Sequence, residues 1–241
     1  MLRKPTKSKC YSTSKILWEH SSILGFDWLR GRYLLPHFNH WFKQAKGVVV
    51  DVGCGSKPYI CLFNKSVSFY IGIDLPGNIN VVFADIFANA LQLPFKNCSV
   101  DFLFNTWVLD DLPNPCGYFQ EVYRVLKPKG VFVMAENQSF PEHDAPNDFF
   151  RFTKYGLMHL ARKNGFVVKE IRPLGGFWAQ IGFQMTAFFL KGLYGHWGRW
   201  VRIFCPLINL FFYGLDRLCY LERGTSGYFA VFQKPQDEQN M

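Results

Sequence analysis

The feature that most constrains this chain is a rhythm. Between residues 48 and 172, short apolar runs alternate with stretches of helical character. The runs fall at 48–52 (VVVDV), 69–73 (FYIGI), 81–84 (VVFA), 101–105 (DFLFN), 130–135 (GVFVMA) and 166–171 (FVVKEI). Strands that are apolar at nearly every position are covered on both faces, as in a parallel sheet built from βαβ units. A helix is expected near 115–126, stopped by Lys127-Pro128-Lys129-Gly130. Another is expected over 154–164, with Thr153 as N-cap and Gly165 just past its end. A last strand fits 228–233 (YFAVFQ), and residues 175–227, rich in aromatics and glycines, read as an insertion before it.

Four segments follow from this pattern: a basic N-terminal arm and helix (1–47), a core (48–174), an aromatic-rich helical insertion (175–227), and a final strand with a polar tail (228–241). A chain of 241 residues with 49% hydrophobic content can bury a full core. Its net charge of +9 is unevenly placed, with +7 in residues 1–47, zero in 48–176 and +2 in 177–241. Basic ends suit an anionic partner. A membrane surface is preferred to nucleic acid, because no nucleic-acid-binding motif is present. The opening MLRKPTKSKCYSTSK has a composition shared by organelle transit peptides and disordered basic tails, and the second is the expectation. Seven cysteines without CxxC spacing or a secretory signal imply reduced thiols in a cytoplasmic protein, and no metal site is expected.

The first strand ends in D-V-G-C-G-S-K-P (51–58). A glycine turn there lets a ligand approach the backbone closely. Gly53 and Gly55 supply two glycines of a dinucleotide fingerprint, but Pro58 stands where the third belongs, which disfavours NAD. Asp74, at the end of the second strand, can accept both hydroxyls of a ribose. Asp51 can meet an ammonium group or order a water that does. Ribose plus ammonium without pyrophosphate fits S-adenosylmethionine. Taken singly, the glycines could serve only a tight turn, and Asp74 or Asp85 a solvated strand end.

Residues 48–172 resemble the class I S-adenosylmethionine-dependent methyltransferases, especially the methyltransferase type 11 group. The matching pieces are DVGCG (51–55), YIGID (70–74), ADIF (84–87), LPFKNCSVD (93–101), WVLDDL (107–112) and EVYRVLKPKG (121–130). The resemblance implies an α/β fold: a Rossmann-like seven-stranded sheet of order 3-2-1-4-5-7-6, its last strand antiparallel, with a helical insertion between the final two strands. It also implies that Asp51, Gly53, Cys54 and Gly55 line the methionine part, that Asp74 holds the ribose, and that Asp85 and Ile86 contact the adenine. Asn105 and Thr106 would close the methionine side. Asp111 departs from the family, which often carries histidine there in an L-E-H-like stretch.

FPEHDAPNDFFRFTKYGL (140–157) resembles a subgroup with P-x-H-x-x-P-x-D-x-x-R-F-T-x-x-G-L, often encoded among surface-glycan genes. His143 is the expected base for an oxygen nucleophile, since its ordinary pKa lies near neutrality. Asp148 or Asp144 would orient the ring, and Arg151 would hold an anionic group of the acceptor. Alternatively, Asp148 and Arg151 simply pair and dock the loop.

The insertion is expected to form one helix over 181–194 and another from Trp200 to Leu221, broken near Pro206. Its longest apolar run, 203–215, is too short to span a bilayer, which needs about 20 residues. Trp178, Trp197 and Trp200 with Lys191, Arg199, Arg202 and Arg217 suit a helix lying in the headgroup region. A soluble lid and a dimer interface remain open. The expected function is methyl transfer from S-adenosylmethionine to an oxygen of a glycan, glycolipid or other amphipathic acceptor, with the protein expected in the cytoplasm or peripheral on the inner face of an anionic membrane. A non-catalytic cofactor-binding accessory protein and a methyltransferase of small soluble metabolites are the alternatives.

Overall fold

The computed structural model describes residues 20–76, 83–189 and 204–236. Seven strands form one sheet: β1 (Gly47–Val52), β2 (Val67–Asp74), β3 (Ile86–Phe87), β4 (Val100–Thr106), β5 (Leu126–Asn137), β6 (Val167–Pro173) and β7 (Gly227–Gln233). The order is β3-β2-β1-β4-β5-β7-β6, with β7 antiparallel to both of its neighbours and the other pairs parallel. In register, Val52 stands beside Ile73 of β2 and Asn105 of β4. The residues that follow these strands therefore meet at one edge of the sheet.

Helix α1 (Trp28–Phe42) covers one face. Phe38 and Phe42 are fully buried and cluster with Val49, Phe102, Phe104 and Val231. Burial of each phenylalanine contributes about 1.5–3 kcal/mol. The other face carries α2 (Pro115–Val125) and α3 (Lys154–Lys163), whose Phe119, Val122 and Leu157 pack on Leu103, Phe132 and Phe232. The side chain of Asn114 accepts from the Gly117 amide to cap α2, and that of Thr153 accepts from the Gly156 amide to cap α3. Gly165 follows α3 at φ +82°, the left-handed stop expected of it.

The third strand lies at Ile86–Phe87 rather than 81–84: Phe83 and Ala84 are turn and coil, while 81–82 fall outside the described residues. The ladder there is pinned by backbone bonds from the Asp85 amide to Gly72 O and from the Ala88 amide to Asp74 O. β-branched residues alone did not mark it.

The insertion begins with α4 (Phe177–Ala187), four residues earlier than the apolar pattern suggested. Helix α5 (Cys205–Leu218) follows, and Pro206 starts this helix instead of breaking it, because a first-turn proline gives up an amide that had no helical partner. The expected anchors Lys191, Trp197, Arg199, Trp200 and Arg202, the arm 1–19 and the end of the tail lie outside the described residues. Among the described residues, no helix is long and apolar enough to cross a membrane.

The insertion is knitted to the N-terminal segment. Asn209 donates to the carbonyls of Ile23 and Gly25, and Thr186 donates to that of Phe26. Part of the N-terminal positive charge is internal: Arg30 is buried, 3.1 Å from Asp27, with its guanidinium 3.8 Å from the centre of the Trp107 ring.

Candidate active site

The turn after β1 satisfies its own backbone. The amides of Gly53 and Cys54 both donate to Ile73 O, and that of Gly55 donates to Asp74 Oδ2 at 2.8 Å. Gly53 sits at φ +68°, where a Cβ would collide with Val108 Cγ2 at 2.3 Å. Gly55, at φ +45°, faces space in which a Cβ would meet nothing within 4 Å. The first glycine thus lets the 107–112 segment close against the turn, and the second leaves a cradle open.

Asp74 stands at the end of β2 with its carboxylate aimed by two amides, Gly55 to Oδ2 and Leu75 to Oδ1 at 2.9 Å. Each oxygen keeps a lone pair for a diol. Asp51 lies beneath, fully buried, accepting the Tyr70 hydroxyl. Burial pushes its pKa up to about 7, against the hydrogen bond from Tyr70 and the nearby Lys57 charge. Cys54 is buried, and burial raises its thiol far above the ordinary range, so it acts as a packing group.

Asp85 is engaged in a way its sequence did not suggest. One oxygen takes both the Lys57 ammonium and the Gly72 amide, the latter at 2.8 Å. Gly72 is what lets Lys57 pass, since a Cβ there would lie 2.3 Å from Lys57 Cε. Asp85 therefore clamps the turn from below, leaving its other oxygen and the adjoining Ile86 at the edge. Lys57 itself was missed; a lysine just after the glycines is an ordinary surface residue until the fold buries it.

Asn105 is fully buried and points into the protein. Its amide donates to Glu136 Oε1, and its oxygen accepts the Tyr118 hydroxyl at 3.2 Å. Glu136 also accepts the Leu109 amide at 3.3 Å, and burial raises its pKa well above the carboxylate range. Asn105 thus shapes the 105–109 loop from within, a correction to its expected place on the methionine side; Thr106 stands at the edge. Sequence could not distinguish the two directions, because the last residues of a strand face either side according to local twist.

The second group lies next to this loop. Asp110 and Asp111 end the 3-10 turn Leu109–Asp111. Segment 140–153 folds over it, with the Phe149 and Phe150 amides on Asp110 O and the Phe152 amide on Asn137 O. His143 is placed by this docking. Nδ1 lies 3.2 Å from Pro141 O and 3.3 Å from Asp148 Oδ2, while Nε2 lies 3.7 Å from Asp110 Oδ2 and 3.9 Å from Asp111 Oδ1. Asp148 is the orienting acid and also accepts the His143 amide at 3.0 Å.

Arg151 is used up structurally. It forks onto Asp148 at 2.5 and 2.7 Å and donates to the carbonyls of Phe140, Pro141 and Phe150. Its expected role as an anion holder gives way to loop docking, and the paired guanidinium holds Asp148 well below the usual carboxylate range. Asp111, half-buried beside Asp110, is pushed up to about 6, chiefly by burial. Asp110, fully buried, was not singled out from sequence; its only signal was the unusual D-D pair.

Sheet order, glycine turn and strand-end acid together define a Rossmann-like α/β domain with an open cradle at the C-terminal edge of its sheet. Residues 50–134 match the family model described as a methyltransferase domain. The ubiquinone/menaquinone biosynthesis C-methyltransferase UbiE of Rickettsia prowazekii is 35% identical over 86 residues, 36% of this chain and 34% of that protein. A probable S-adenosylmethionine-dependent methyltransferase of Mycolicibacterium smegmatis is 24% identical over 161 residues, 56% of this chain and 63% of that one. Among solved structures, Haemonchus contortus phosphoethanolamine N-methyltransferase 2, in complex with S-adenosyl-L-methionine, superposes with a TM-score of 0.55 at 14% identity. That match covers 96% of this chain and 61% of the other. The chain spans less than two thirds of the relatives it matches.

Proposed function

We propose that this protein transfers a methyl group from S-adenosylmethionine to an oxygen of an amphipathic acceptor such as a glycan or glycolipid. The observation that carries the reading is the cradle itself. An open Gly55 lies beside an Asp74 carboxylate pre-aimed by two amides, within the stretch that matches the methyltransferase model.

The cofactor supplies a methyl group on a sulfonium, and methyl transfer is an in-line displacement in which positioning dominates. Asp74 would hold the ribose diol, Asp85 and Ile86 would border the adenine, and Asp51 with the 53–55 backbone would line the methionine part. Held there, the cofactor would supply its methyl group to the acceptor oxygen, its sulfur keeping the electron pair of the broken S–CH3 bond. His143 Nε2 takes the hydroxyl proton, with Asp148 holding the other side of the ring.

The acceptor's amphipathic character is supported by the insertion. Helix α5 buries Cys205, Asn209, Phe212 and Asp216 and turns Leu207, Leu210, Phe211 and Leu218 outward on the opposite face. Phe177, Met185 and Phe188 line a groove of roughly 480 Å³ along α4. A contiguous exposed apolar face of this kind suits a lipid surface.

The test is calorimetric titration with S-adenosylhomocysteine, with NAD as comparison. Micromolar binding that Asp74→Ala lowers at least about tenfold is expected, since hydrogen bonds to charged groups contribute roughly 1.5–3 kcal/mol each. Binding of NAD instead, or none to folded protein, overturns the cofactor reading. Cosedimentation with anionic vesicles tests the surface: pelleting that Phe211→Ser with Leu207→Ser abolishes is expected, and no pelleting removes the membrane.

A further inference from the structure

We propose that Asp110, Asp111 and His143 form a binding site for one divalent cation of the Mn²⁺ or Zn²⁺ type, at the sheet edge beside the glycine turn. The three offer ligand atoms that all lie within 4.8 Å of one another.

The hydrogen-bond pattern of His143 points to the ligand. Nδ1 faces two pure acceptors, Pro141 O at 3.2 Å and Asp148 Oδ2 at 3.3 Å, both nearer than the Arg151 Nη2 donor at 3.5 Å, so Nδ1 carries the hydrogen. Nε2 then faces carboxylate oxygens of Asp110 and Asp111 at 3.7 and 3.9 Å. Those separations are too long for hydrogen bonds. They suit donors sharing one ion, since metal bonds of roughly 2.0–2.2 Å set neighbouring donors about 3 to 4 Å apart.

A second observation is independent of the ring. Asp110 is fully buried; Oδ2 takes the Asn137 amide at 2.6 Å, and Oδ1 has no hydrogen-bond partner. Asp111 Oδ1 is likewise buried without one. Buried carboxylate oxygens left unsatisfied are costly, and a cation is what such oxygens coordinate. Two carboxylates and a neutral imidazole also balance a charge of +2.

The surroundings resemble those of a metal ligand. A carboxylate on the far ring nitrogen fixes tautomer and orientation, and here Asp148 does so while pinned by the Arg151 fork. One imidazole among carboxylates favours Mn²⁺ or Zn²⁺ over Ca²⁺. Three protein donors leave coordination positions for water or an acceptor oxygen. In the ion-free protein Nε2 is the base assigned above; in the ion-bound protein the same lone pair is a ligand and the ion meets the acceptor. Only that last role rests on the methyl-transfer reading.

The experiment is titration of chelator-stripped full-length protein with MnCl₂, followed by loss of the free-ion paramagnetic resonance signal, with ZnCl₂ as competitor. One ion per chain is expected, displaced by Zn²⁺ and weakened at least about tenfold by Asp111→Asn and by His143→Gln. Thermal melting in chelator checks that both variants are folded; Asp111→Asn removes only a half-exposed acid. No binding up to millimolar Mn²⁺, or binding that survives His143→Gln, overturns the site. Mn²⁺ binding without S-adenosylhomocysteine binding would sink the cofactor reading and leave the cation site standing.

Discussion

Tyr33 donates its hydroxyl to Asp216 at 2.6 Å, joining residues 183 positions apart. The same buried carboxylate accepts the amides of Gly176 at 3.0 Å and Ala179 at 3.2 Å, so a side chain from α5 satisfies the first turn of α4. Asp216→Ala strands three donors. A loss of about 2–4 kcal/mol in urea unfolding is expected, at about 1–3 kcal/mol per unsatisfied group with partial relaxation. An unchanged midpoint would mean that water replaces the carboxylate.

Arg30 holds three segments at once. Its guanidinium stacks on Trp107 after β4, lies 4.8 Å from the Phe183 ring of α4 and 5.3 Å from that of Phe140. Arg30→Leu removes one partner of Asp27, which keeps its contact with His20 at 2.7 Å. Breaking a buried pair in this way costs about 3–5 kcal/mol. Arg30→Lys should recover less than half, because an ammonium cannot stack as a plane. Denaturant midpoints of the two variants check both statements.

Asp51 makes stability depend on pH in a definite direction. Its pKa is raised from 3.8 to about 7 in the folded protein, chiefly by burial. The unfolded chain therefore releases this proton at lower pH than the folded chain does. The contribution is fully present below pH 3.8, declines as pH rises, and is lost by about pH 7. Asp51→Asn removes the titration, so the mutant should gain on wild type between pH 5 and pH 8. Urea unfolding at both values measures the gain; an equal difference at the two would show that Asp51 does not titrate there.

The Arg151–Asp148 fork should matter for docking the 140–153 segment more than for charge. Arg151→Lys keeps the charge but loses the bidentate geometry and most of the three carbonyl contacts. Faster amide exchange at Phe149, Phe150 and Phe152 is expected, since their hydrogen bonds to Asp110 O and Asn137 O close that segment. Unchanged exchange with weakened acceptor binding would restore Arg151 as an anion holder.

The parallel-sheet class and the glycine turn were legible because they rest on local, repeating signals, whereas the strand order followed from the family resemblance. Continuous apolar runs mark strands covered on both faces, glycines at a strand end mark a close approach, and Asp74 follows one βαβ step later. Residues 86–87 were missed as a strand because two residues carry no periodicity. Pro206 was read as a break because a proline reads alike as an end or a beginning until the amides around it are placed.

Sequence by itself determined the class of sheet and placed Asp51, Gly53, Gly55 and Asp74 together at its C-terminal edge. Only the tertiary structure decided how the polar side chains are spent. It turned Asn105 inward to Glu136, locked Asp85 onto Lys57, saturated Arg151 with backbone carbonyls, and brought His143 to Asp110 and Asp111. The physical reason is that a polar group's role depends on which partners the fold brings beside it. Those partners here come from segments up to 33 residues away in the chain (143 − 110), a separation that pattern and propensity do not encode.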